Sequence, residues 1–171
     1  MDGDETISPD KSILLVAKVP TYMLEVVKVV RSLKDSNVCF ISTNKGYDSL
    51  AEVFKMSDVD TSKVFYIDCV TLSVVKVQDS DNCKYISSPA ALTELDIMIS
   101  KRMKAGDAVF VVDSLSTFMV YQSEERIMRF VHNLIGNCKT NKKALILLMS
   151  EGDMKSDLYN KVSLMVDEVQ L

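Results

Sequence analysis

The 171-residue chain contains no tryptophan, one histidine, three prolines and five glycines. So few breakers over that length imply long regular elements and short connections. No apolar run reaches the roughly 20 residues that a membrane helix needs. The start, MDGDETISPDKS, is acidic and polar, without the basic-then-apolar order of an export signal. The four cysteines, Cys39, Cys69, Cys83 and Cys138, form no CxxC pair. Without an export signal they read as reduced thiols in a cytoplasmic protein. Together with the single His132 they offer no two-ligand clip for zinc. Positive charge is also short: 20 Lys and Arg against 24 Asp and Glu leave a net −4, so nucleic acid is not an expected partner. The basic clusters Lys101-Arg102-Lys104 and Lys139-Lys142-Lys143 fall where helices should end, where the helix dipole favours cations.

What is present is a globular composition, 47% apolar and 26% charged. The pattern predicts a flexible acidic tail over 1–11 and one domain over 12–171. Apolar runs at 12–17, 37–42, 63–68, 107–113 and 144–149 read as buried strands, with a closing strand at 166–171. Between them apolar residues recur at helical spacing. Met23, Val26, Val27, Val30 and Leu33 follow Pro20, which suits a first helical position. Leu50, Val53 and Phe54 mark a helix over 47–56. Ser88-Pro89 should open a helix whose face is Leu92, Leu95, Met98, Ile99 and Met103, and Ser123 another, with Ile127, Phe130, Val131, Leu134, Ile135 and Cys138 inward. A short helix is expected over 154–161. The segment VVKVQDSDNCKYIS reads as two short strands around a polar turn at Asp79–Asn82. That turn lacks the glycine and distal glutamate of a calcium loop. Strands apolar on both faces, alternating with amphipathic helices, specify a three-layer α/β/α fold with a mainly parallel sheet and one short β-hairpin insertion.

In open parallel sheets ligands bind beyond the carboxyl ends of the strands. The candidates there are Lys18, Thr43 and Asn44, Asp68, Asp113 and Ser114, and Ser150 and Glu151. Glycines make a phosphate cradle possible, and AKVPT after the first strand has none. Val19 crowds the space, Pro20 has no N–H, and Lys18 precedes the helix instead of lying inside it. Asp68 follows the third strand as in an aspartyl phosphotransfer domain, but no acidic pair follows the first strand to hold magnesium. No GxSxG or GxGxxG is present, and His132 lies mid-helix. Asp113-Ser114 closes an apolar strand, where it either caps the backbone or orients a metal.

The segment VFVVDSLST resembles the Walker B strand of the RecA/KaiC-like ATPases. NVCFIST, KALILLMSEGD and VSLMVDEVQL are similar to neighbouring strands of that family, from about residue 12 onward. The resemblance implies a RecA-like sheet with the 144–149 strand between the first strand and the 107–113 strand. It places Lys18, Thr43, Asn44, Asp113 and Ser114 at a vestigial nucleotide site, with Asp113 the one metal ligand if there is any. The family's Walker A is replaced by AKVPTY, and its catalytic glutamate by Thr43 or Asn44, neither of which can accept a proton from water. The chain therefore looks like a degenerate, catalytically inactivated member of archaeal type, with no cofactor expected. Such a domain would act as a regulatory or scaffolding pseudoenzyme, bound to itself or to an active relative, away from membranes. The alternative is an α/β domain that binds a nucleotide, phosphate or metal at Asp113, Asp68 and Lys18.

Overall fold

Seven strands lie in one sheet in the computed structural model, which describes residues 8–171. They are β1 (Ser12–Ala17), β2 (Val38–Ser42), β3 (Val64–Asp68), β4 (Cys83–Tyr85), β5 (Val109–Asp113), β6 (Ala144–Ser150) and β7 (Glu168–Gln170). Their order is β4-β3-β2-β5-β6-β1-β7, and every neighbouring pair is parallel. The helices are α1 (Tyr22–Ser32), α2 (Tyr47–Met56), α3 (Leu92–Ala105), α4 (Leu115–Tyr121), α5 (Glu124–Thr140) and α6 (Asp157–Ser163).

Alternation within each strand divides the core in two. Leu15, Phe40, Val111, Ile146 and Leu148 pack with α1 and α2 on one side. Leu14, Ile41, Phe110, Val112 and Leu147 pack with residues of α3, α4, α5 and α6 on the other. Because helices cover both faces, successive residues of the central strands are all buried, and the runs read as continuously apolar. All four cysteines are free and buried, and burial pushes the Cys83 and Cys138 thiols up to about 12. His132 is exposed on α5.

Several expectations need correction. The hairpin does not form: β4 pairs in parallel with β3, and residues 74–79 make no strand. The N–H groups of Val74 and Val75 bond instead to the Thr71 carbonyl, and Val74 is 83% exposed. The polar turn itself is real, with Ser80 N–H bonded to the Cys83 carbonyl. Pro89 lies in a turn in which the Ser88 hydroxyl accepts the Ala90 N–H, so α3 starts at Leu92. The helix expected at 154–161 runs from Asp157 to Ser163, because the Ser156 hydroxyl caps the Tyr159 N–H. α4 was not expected at all. The flexible tail lies mostly outside the described residues; residues 8–11 form a turn closed by Lys11 N–H and the Ser8 carbonyl.

The basic clusters do end helices. Arg102 and Lys104 lie in the last turn of α3, and Lys139 in that of α5. Lys139 also reaches Asp167, and with the Ser12 hydrogen bonds it holds that carboxyl down to about 2. Arg102 grips Asp107 with two hydrogen bonds of 2.6 and 2.7 Å, and its guanidinium stacks 3.7 Å over the Phe65 ring. Asp107 is nearly buried. Arg102→Ala should therefore strand a buried carboxylate and destabilise the fold by about 3–5 kcal/mol in urea denaturation. A loss below about 1 kcal/mol, the range of surface pairs, would contradict the pairing.

Candidate functional site

A fully parallel sheet sends all its carboxyl ends to one edge, and the chain ties them together there. β1 leads into extended Lys18 and a 3-10 turn over Val19–Thr21 with Pro20 inside it. Lys18, Val19 and Pro20 are exposed. The Val19 N–H is donated to the Glu151 carboxylate at 3.3 Å, which links the ends of β1 and β6. Beside them the Ser150 N–H reaches the Ser116 hydroxyl at 2.9 Å.

Thr43, at the end of β2, is buried. Its N–H is donated to the Asp113 carbonyl at 2.7 Å. Its hydroxyl accepts the Ser114 N–H at 2.9 Å and lies 3.1 Å from the carbonyls of both Asp113 and Ser114. Thr43 thus rivets β2 to both sides of the cis Asp113–Ser114 peptide. Asp68, at the end of β3, is equally committed. It accepts the N–H groups of Tyr47, Val70 and Thr71 at 2.7–2.8 Å and the Thr71 hydroxyl at 2.5 Å. It anchors the start of α2 and the turn after β3.

Asp113 has no exposed surface. One carboxyl oxygen accepts the Tyr22 hydroxyl at 2.7 Å, and the other has no hydrogen-bond partner. Burial pushes its pKa up to about 6, against the opposing pull of the Tyr22 hydrogen bond and the Lys45 charge. Burial, then the nearby Asp113 charge, raises the Tyr22 phenol well above its ordinary value.

Above buried Asp113, with half-buried Tyr22 in its lining, lies an open crevice of about 520 Å³. Tyr22, Asn44, Lys45, Ser114, Ser116 and Thr117 contribute its polar lining, with Ser150 at one end. Of the expected residues, Asn44, Ser114 and Ser150 line it. Lys18 and Thr43 do not, and Asp68 is spent elsewhere. Among the described residues no three acidic, histidine or cysteine side chains group as a metal site requires, so Asp68, Asp113 and Glu151 do not converge. Tyr22, Lys45, Ser116 and Thr117 were not anticipated. The only sequence hint was the tyrosine following the proline turn in AKVPTY.

No family model matches the sequence, and no curated protein matches it. Among solved structures, a KaiC-like protein of the hyperthermophilic archaeon Pyrococcus horikoshii superposes with a TM-score of 0.68. The match covers 94% of this chain and 70% of that one at 13% identity. The fold is RecA-like. At that identity the likeness shows architecture alone. The RecA-like sheet places β6 between β1 and β5, as the resemblance implies.

Two stability measurements test this geometry. The folded value of Asp113, about 6, lies above its reference value of 3.8, so the native state keeps a proton that the unfolded state releases. Stability is therefore lost as pH rises through that window, by about 3 kcal/mol when complete. Asp113→Asn, read by urea denaturation against the unaltered chain, should gain by about that amount between about pH 4 and 7. A difference that does not change with pH would contradict the buried carboxyl. At Gly46, an added Cβ would meet the Thr71 hydroxyl oxygen at 2.6 Å, and Asp68 holds that hydroxyl in place. Gly46→Ala should cost about 1–3 kcal/mol. Adding Thr71→Ala removes the clash, so the double variant should lose less than the sum of the two single changes.

Proposed function

We propose that this chain is a non-catalytic RecA/KaiC-like domain, a degenerate member of archaeal type, that works as a regulatory or scaffolding protein through protein–protein contacts. One observation carries the reading. Asp113, the acid that the Walker B resemblance assigns to metal orientation, has one oxygen occupied by the Tyr22 hydroxyl and no surface of its own.

The neighbouring residues support it. A magnesium-bound triphosphate needs several inward N–H donors and an acid within reach of the metal. At the end of β1, Pro20 has no N–H, and the Val19 N–H is directed to Glu151. The position of the family's catalytic glutamate falls to Thr43 or Asn44; neither can accept a proton from water, and Thr43 spends its hydroxyl on backbone groups of Asp113 and Ser114. These residues do not fit a magnesium nucleotide, and no cofactor is assigned. The expected partner is a second copy or an active RecA/KaiC-like relative, with nucleic acid disfavoured by the net charge of −4.

A second reading draws on the crevice itself, where Asn44, Lys45 and the hydroxyls of Tyr22, Ser114, Ser116, Thr117 and Ser150 converge. A nucleotide or phosphate ligand would suit that lining, although Lys18 and Asp68 would take no part.

Calorimetric titration with Mg-ATP, Mg-ADP and phosphate separates the two. The first reading predicts no binding heat up to millimolar ligand, no phosphate release above the blank, and neither one gained in Tyr22→Phe. Saturable, magnesium-dependent heat that disappears in Asp113→Ala would overturn it in favour of the second. Sedimentation of the protein alone, and mixed with an active RecA/KaiC-like relative, should show a complex; a strict monomer in both would contradict the interaction role.

A further inference from the structure

The rim of the crevice is apolar on both sides. Val19, 64% exposed, and Met23 stand on one wall; Val120 at 78% and Tyr121 at 52% stand on the other. Val19 comes from the turn before α1, Met23 from the start of α1, and Val120 and Tyr121 from the end of α4. Clustered exposed apolar side chains around a concave site are the usual mark of an interaction surface.

The charge of the crevice is one-sided. Among the described residues Lys45 is the only charged one lining it, on a chain whose net charge is −4. Among the described residues no carboxylate lies within 4 Å of the Lys45 ammonium. Asp113 lies buried and bonded to Tyr22, and Glu151 accepts the Val19 N–H. An occupant therefore has to match one ammonium and an apolar rim together.

We propose that the crevice docks a protein segment that presents a carboxylate beside a large apolar side chain. This rests on the interaction reading above and names the face and the chemistry of the partner. The apolar side chain packs between Val19 and Met23 on one wall and Val120 and Tyr121 on the other, displacing water from all four. The carboxylate meets Lys45, and Asn44, Ser114, Ser116 and Thr117 supply hydrogen bonds to the segment's backbone. A single ammonium without arginine suits one carboxylate better than a phosphate, which favours bidentate or multiple donors. A small ligand on the floor would leave the protruding rim wet, whereas a segment crossing the crevice covers it.

The test is an NMR titration of the full, nitrogen-15-labelled chain with two blocked hexapeptides. One has the sequence Ser-Glu-Leu-Phe-Glu-Ser; the other carries lysine in place of both glutamates. The acidic peptide should move amide signals within residues 19–23, 44–45 and 114–121, and the basic one should not. Lys45→Glu should reverse that preference, and Val120→Ser should weaken the acidic peptide about tenfold. Equal response to both peptides, or response elsewhere on the fold, overturns the proposal. So do shifts at these residues with Mg-ATP in place of the peptide, which assign the crevice to a small ligand. Concentration-dependent shifts there without peptide assign it to a second copy and likewise overturn it. If a chain carrying both changes still forms the complex with an active relative that sedimentation is expected to show, the docking site fails while the interaction reading survives. Loss of that complex in the double variant, with the fold intact, supports the site.

Discussion

A carboxyl group with no exposed surface must be protonated, paired or hydrogen-bonded; one oxygen of Asp113 is bonded from within the chain, and burial favours the protonated form. Its partner is Tyr22, the first residue of α1, so the bond joins the start of a helix to the end of a central strand. Thr43 bonds to the same strand end from the neighbouring strand, the Ser116 hydroxyl ties the segment after it to β6, and Glu151 ties β6 in turn to the residues after β1. The result is an edge whose polar groups are largely satisfied by the protein itself. An edge of that kind is poorly suited to holding charge in transit and well suited to staying rigid.

The same bonds explain why the surface above is open yet chemically spare. Because Tyr22 points down to Asp113, α1 presents Met23 and the preceding Val19 to the crevice rather than a row of donors. Because Asp68 caps the start of α2, the loop after β2 is fixed and brings Asn44 and Lys45 to the same wall. The network thus shapes the outer surface, and Tyr22, Ser114 and Ser116 belong to both.

How much of this was readable in the sequence depends on how local each cause is. The central strands were legible because burial on both faces leaves an unbroken apolar run, as in Val109–Val112. The amphipathic helices were legible for the complementary reason, as with Ile127, Phe130, Val131 and Leu134 of α5. A strand at Cys83–Tyr85 was legible but its pairing with β3 was not, because a three-residue edge strand carries too little pattern, and Val74 and Val75 look like strand residues although a turn claims their N–H groups. α4 was hidden because only Leu115 and Phe118 of its seven residues are buried. Asp113, Ser114 and Asn44 were found from their place after strands. The Tyr22–Asp113 bond spans 91 residues and has no local signature, so the feature that closes the site was out of reach.

Under the proposed reading Asp113 is closed off by Tyr22 and does not serve a metal. The most direct measurement is a carbon-13 NMR titration of the Asp113 carboxyl, with and without millimolar magnesium. A midpoint near 6 that magnesium leaves in place is the expected result. An ordinary carboxylate midpoint near 4, or one that falls when magnesium is added, would contradict it.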